Sequence, residues 1–264
     1  QQRASNICIF FNKENTDVAG SLLLFKALPK MPFIGQKMMK KFIDSMAVDG
    51  FFTAGITPRL TTYYERIGYK CGIFDHHFWK LDTRLKTSSS VLNRKKNIQG
   101  LVELMPLKHK KQLDQLSIKF PESTFIPRKD FWYFKKNYLD NLSQPFRVFA
   151  GKQAQNFIVV TASYQTPIGK ILRLYDYFGD HKQFEYVLEA LKILVEKEQY
   201  FYIDAMTTGI NKEVFQRAEY KEVLYSEGSE IIPNNFFPFE PVNSQVIFGT
   251  NLRKKERAPI ILFK

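Results

Sequence analysis

Residues 51–79, FFTAGITPRLTTYYERIGYKCGIFDHHFW, constrain the fold more than any other stretch of the chain. An apolar run at 51–56 reads as a strand and stops at Thr57-Pro58. That pair suits a helix start: a hydroxyl that can accept from free N–H groups, then a residue with preset φ and no N–H to satisfy. Leu60, Tyr63, Tyr64 and Ile67 recur at helical spacing, and Gly68 suits the left-handed residue after the last turn. Residues 69–81 return as a strand. The order strand, capped helix, strand places a phenol near a helix end, between two strands of a sheet. A weaker copy spans residues 201–224. YERIGYK (64–70) lies over FQRAEYK (215–221), and Gly55-Ile56 over Gly209-Ile210 with a small insertion. Arg, Tyr and Lys coincide, while Tyr64 faces Phe215, whose ring has no proton to give.

Around these units the pattern alternates strands and helices. Residues 7–11 and 21–25 read as a hairpin, and Met39, Phe42, Ile43 and Met46 give a helix from Gln36 one apolar face. Residues 83–125 lack steady periodicity at first, then offer a strand at 100–104 and a basic helix at 108–116. Residues 131–142 form an aromatic amphipathic helix. Strands follow at 146–150, 157–162 and 170–177. A long helix is capped by Asp180 with Gln183 three residues on, then come a strand at 200–205 and a helix capped by Asn211. The tail from Ile231, IIPNNFFPFEPVN, reads as an irregular packed arm. The expected organisation is α/β (α+β): a first unit at 1–82, a basic connector at 83–125 and a second unit at 126–264.

Net charge is +13, and residues 1–130 carry most of it, with 22 Lys/Arg against 11 Asp/Glu. Such a surface attracts anions. Aromatics are not interleaved through the basic run at 80–111, as a single-strand nucleic-acid surface requires, so an anionic small molecule is the better partner. Cys8 and Cys71 lie in apolar strand-like runs without a CxxC pattern, as expected of free thiols in a cytoplasmic protein. No apolar run reaches the ~18 residues of a membrane span, and no metal-binding, Walker or GxGxxG motif is present. His109 and His181 stand alone. Gln1 and the apolar close at 259–263 are expected to be cut ends.

The run TTYYERIGYKCGIF resembles the signature near the end of the GNAT superfamily of acyl-CoA-dependent N-acyltransferases, an aromatic pair followed by Y-E-K-L-G-F. Gly35-Gln36-Lys37 resembles a remnant of that superfamily's pyrophosphate loop, with Pro32 and Lys37 departing from the pattern at its first and last positions. The segments ILRLYD (171–176), IIPNN (231–235) and FPFE (237–240) resemble two-domain GNAT-like proteins of bacterial surface-polysaccharide biosynthesis. The resemblance implies two tandem GNAT-like domains, each a mixed twisted sheet flanked by helices. It implies acetyl-CoA or another acyl-CoA as cosubstrate and an acceptor such as a nucleotide-linked amino sugar.

It further implies roles. Gly35, Gln36, Lys37 and Met38, at a helix start, would hold the pyrophosphate on free N–H groups. Tyr64 would protonate the departing thiolate as general acid; it equally suits a core position. Asp75 and His77 share one strand face and are candidates for the amine's proton, or for packing. Asp176 and Asp204 interrupt apolar strands. A buried carboxylate needs a partner, which makes each a substrate-amine candidate or a cap. A binding module on a degenerate acyltransferase fold is the alternative to an enzyme.

Overall fold

The computed structural model describes residues 7–10, 17–21, 41, 44–45, 50–81, 102–116, 129–140, 146–151, 157–179, 181–234 and 242–252. Two mixed sheets carry the architecture. In the first, β1 (Ile7–Phe10), β2 (Asp17–Ser21), β3 (Gly50–Ile56), β12 (Ile247–Leu252) and β4 (Lys70–Ile73) lie side by side in that order. In the second the order is β11 (Lys221–Glu222), β5 (Asp75–Lys80), β10 (Tyr202–Thr207), β9 (Gly169–Gly179), β8 (Phe157–Thr166), β7 (Phe146–Gly151) and β6 (Leu104–Leu107).

The two orders share a five-strand pattern. β2 runs parallel to β3, β3 antiparallel to β12, and β12 antiparallel to β4. β9 runs parallel to β10, β10 antiparallel to β5, and β5 antiparallel to β11. The antiparallel pairs β1–β2 and β8–β9 complete the match. In each sheet the strand next to the edge comes from the other half of the sequence. β12, from the C-terminal end, closes the first sheet; β5, from the N-terminal third, closes the second.

That exchange explains a departure from the sequence reading. The single strand expected at 69–81 is split at Phe74, whose N–H donates to the Val246 carbonyl at 3.0 Å. The residues before it pair with β12 and those after it with β10. The second hairpin strand is described over Asp17–Ser21, paired with β1 and β3, and residues 22–25 lie outside the described residues.

Helices cover both faces of the second sheet. α4 (His181–Glu198) lays Phe184, Val187, Leu188, Leu191 and Val195 on Leu172, Leu174, Ile203 and Ala205. α2 (Lys110–Asp114) and α3 (Phe131–Phe134, continued as a π-turn over Lys135–Leu139) bury Leu113, Tyr133, Phe134 and Tyr138 on the opposite face. β8 and β9 are therefore covered on both sides, which is why they read as continuous apolar runs. Phe52, Phe74, Met206 and Val246 form a cluster that joins the two sheets.

Candidate active site

Tyr64 lies on α1 (Pro58–Arg66) near its C-terminal end. Thr57 precedes the helix in extended conformation but makes no side-chain cap; Pro58 alone marks the start. The helix ends as its sequence requires. Gly68 has φ +91°, its N–H donates to the Glu65 carbonyl at 3.0 Å, and the Tyr69 N–H reaches back to the Tyr64 carbonyl at 3.0 Å. These paired bonds satisfy carbonyls that the helix end leaves open. The Tyr64 and Tyr69 rings then meet edge to face at 5.4 Å, the apolar contact that accompanies this stop.

The second unit repeats the stop. On α5 (Lys212–Arg217), capped by the Asn211 side chain, the Glu219 N–H donates to Gln216 and the Tyr220 N–H to Phe215, both at 2.9 Å. Phe215 and Tyr220 meet at 6.0 Å. Glu219 stands where Gly68 stands, with φ +60°. An aromatic ring at position 64 or 215 is thus explained by helix termination. Only the Tyr64 hydroxyl lies outside that explanation.

Tyr64 is 8% exposed, packed among Phe51, Ile56 and Tyr69. Gly249 on β12 lies against its ring: a Cβ there would stand 3.6 Å from Tyr64 Cδ1 and 2.7 Å from Ile56 Cδ1. The phenol is hydrogen-bonded to the Thr53 side chain on β3. Burial raises its pKa above the usual 10, Tyr63 and Cys71 add to the rise, and the Thr53 bond opposes it. The group is accordingly a fully protonated donor at neutral pH.

Asp75 and His77 lie elsewhere, on β5 in the second sheet. Asp75 pairs with Lys212 at 3.1 Å. His77 is 2% exposed, with its ring flat on Phe215 at 4.1 Å, and its Nδ1 has no hydrogen-bond partner among the described residues. Burial lowers its pKa to about 4, so it is neutral at physiological pH. Strand alternation holds: His76 turns to the other face and bonds Asp204 Oδ2 at 3.0 Å.

Both carboxylates of the second half are buried, and each has partners within the chain. Asp204 meets Arg173 Nε at 3.3 Å as well as His76. Arg173 in turn donates to the carbonyls of Asn234, at 2.7 Å, and Pro233, tying in the irregular arm. Asp176 is 0% exposed. Its Oδ1 accepts from Lys129 Nζ and from the Tyr177 N–H at 2.8 Å; its Oδ2 accepts from Tyr133 at 2.7 Å and Tyr138 at 2.8 Å.

The π-turn of α3 makes that clamp possible. Five residues along an α-helix leave two side chains about 140° apart. Here the Asp140 N–H bonds the Lys135 carbonyl at 2.8 Å, an i→i+5 closure that brings Tyr138 back over Tyr133. Sequence reasoning called for a partner to Asp176 but missed these two, because five-residue spacing matches no regular period. A register shift in β9 opposite Val160–Thr161 lets Tyr175 and Asp176 share one face. Beyond Ala205↔Leu174, β9 and β10 no longer pair.

Gly35, Gln36, Lys37 and Met38 lie outside the described residues. Among the described residues, no group of three potential metal ligands is present and no helix is long and apolar enough to cross a membrane.

The chain aligns with Saccharomyces cerevisiae N-myristoyltransferase with bound myristoyl-CoA and inhibitors at a TM-score of 0.50 and 12% identity, over 93% of this chain and 63% of that one. The fold is GNAT-like. A putative acetyltransferase from Pyrococcus horikoshii aligns at 0.48 and 12% identity, over 98% of this chain and 72% of that one. A GCN5-related N-acetyltransferase from Anabaena variabilis aligns at 0.47 and 12% identity, over 93% and 57%. No family model and no curated protein sequence matches the chain. It spans less than two thirds of the yeast enzyme's length.

Proposed function

We propose that the protein is an acyl-CoA-dependent N-acyltransferase, with Tyr64 as general acid and an amino-sugar amine as acceptor in surface-polysaccharide synthesis. One observation carries the reading: a phenol loaded with its proton lies against β3, the strand that runs parallel to β2, in a fold shared with an N-acyltransferase. In the reaction the amine nitrogen attacks the thioester carbonyl, the new C–N bond forms and the C–S bond breaks. The departing thiolate takes the Tyr64 proton; the nitrogen releases one proton to solvent, solvent returns one to the phenolate, and the Thr53 hydroxyl steadies that phenolate in between. Burial makes the Tyr64 phenol a weaker acid than its usual ~10, and weaker still against a CoA-type thiol near ~8.5, so the proton moves only as charge builds on sulfur during C–S cleavage, and the Thr53 bond offsets part of that uphill step. The donor would be acetyl-CoA or a longer acyl-CoA, with the pyrophosphate on Gly35, Gln36, Lys37 and Met38. The base is not assigned; Asp75 and His77 lie in the second sheet, apart from Tyr64. Asp176 and Asp204 would act on the acceptor only through the residues that hold them.

The experiment pairs a melting measurement with turnover. Acetyl-CoA or myristoyl-CoA should raise the melting temperature. Tyr64→Phe should keep that rise while cutting acyl transfer by ~10²–10⁴, the usual worth of a general acid. Absence of any acyl-CoA shift would remove the enzyme reading. A second reading, a binding module without turnover, draws on the near-complete burial of Tyr64 and the engagement of its oxygen by Thr53. It predicts the thermal shift with no acyl transfer in the unmodified protein.

A further inference from the structure

An open groove of about 620 Å³ lies between α2 and the π-turn of α3. Lys110, Lys111 and Asp114 line it from one side; Trp132, Lys135, Lys136 and Asp140 line it from the other. We propose that this groove binds a nucleoside diphosphate. The site stands independently of the acyl-transfer reading.

Each part of such a ligand meets a matching group. The half-buried indole of Trp132 offers a flat face, now covered by the Lys136 ammonium 4.5 Å from the ring centroid. A nucleobase can take that place by stacking, and the released ammonium turns to the phosphates. Lys110, Lys111 and Lys135 add positive charge on the same rim. Asp140, 3.4 Å from Lys110, and Asp114, paired with Lys135, retain acceptor lone pairs for ribose hydroxyls. Four ammonium groups against two carboxylates leave the lining positive. The groove volume lies within the range of small-ligand sites. A nucleic-acid strand would want successive stacking platforms, and among the described residues Trp132 is the one aromatic ring in the lining. The π-turn is a second pointer, since such turns recur at functional sites.

Two sources share this chemistry: a free adenine nucleotide, and the nucleotide of an activated sugar. Intrinsic fluorescence reads both, because the chain has two tryptophans and Trp79 is buried in the core under α4. Titration of the intact protein with ADP and with UDP should give saturable quenching. Preference for ADP points to the first source and preference for UDP to the second; either supports the site. Lys136→Glu and, separately, Lys111→Glu should weaken the apparent affinity at least 10-fold with unchanged far-UV circular dichroism, and Trp132→Phe should remove the quench. Inorganic diphosphate or the free nucleoside, competing as tightly as the nucleotide, would overturn the proposal. So would the absence of saturable quenching up to millimolar nucleotide, or an affinity in both charge-reversal variants equal to that of the unmodified protein.

Discussion

A single oxygen atom separates Tyr64 from Phe215, the aligned residues of the two helix ends. Tyr64 and Phe215 perform the same duty at the end of a short helix, each accepting a backbone N–H and meeting a tyrosine five residues on. The YERIGYK and FQRAEYK stretches made that correspondence readable, because helix stops are written in a few adjacent residues. The environment of the Tyr64 side chain was not readable: Thr53 meets its hydroxyl and Gly249 its ring from strands far apart in sequence. His77 illustrates the same limit. Its alternation with His76 was legible, its stacking on Phe215 was not. Its pKa, lowered by burial to about 4 from 6.5, makes a pH prediction. Between those values the unfolded chain binds a proton that the folded chain refuses. Stability therefore rises with pH across the window 4–6.5, and the full contribution is present above it. The difference is worth about 3 kcal/mol. Urea unfolding at pH 7 and pH 4.5 should show this loss, and His77→Phe, which keeps a ring on Phe215, should show most of it removed. An unchanged pH dependence in the variant would assign the loss to other groups.

At the scale of elements, the π-turn, the register shift in β9 and the Asp176 clamp form one device. A carboxylate with no exposure is tolerable only with its lone pairs filled. β9 supplies one donor, Tyr177 N–H, and α3 and the two residues before it supply Lys129, Tyr133 and Tyr138. Tyr138→Phe should cost ~1–3 kcal/mol by leaving Asp176 short of a donor. Lys129→Met should cost more, roughly 3–5 kcal/mol, because an uncompensated charge stays buried. The double change Lys129→Met with Asp176→Leu should recover much of that loss. Denaturant midpoints rank the three; a Lys129→Met protein as stable as the unmodified one would refute the ion-pair account. The apolar stripe of α4, the capping Asn211 and strands β7–β10 were legible from period and punctuation. The clamp was not, since its partners obey neither a helix nor a strand repeat.

For the whole molecule, the sequence pattern pointed to two α/β units, and the structure has two sheets that trade strands, which the pattern did not announce. Strand exchange is invisible to local pattern: β5 and β12 read like any other strand, and only the ladders reveal that each closes the sheet of the opposite half. With Phe52, Phe74, Met206 and Val246 bridging the sheets, the protein should unfold as one unit. Calorimetry should give a single transition with equal van't Hoff and calorimetric enthalpies; two resolved transitions would show that the sheets melt separately. The exchange also sets the tempo of assembly. As the chain leaves the ribosome, β3 and β4 emerge early with a gap between them that only the late-made β12 fills, while β5 waits for β10. Neither layer can finish alone, so newborn protein must shield unpaired strand edges through most of its own synthesis, and slow, chaperone-sensitive maturation follows from the wiring.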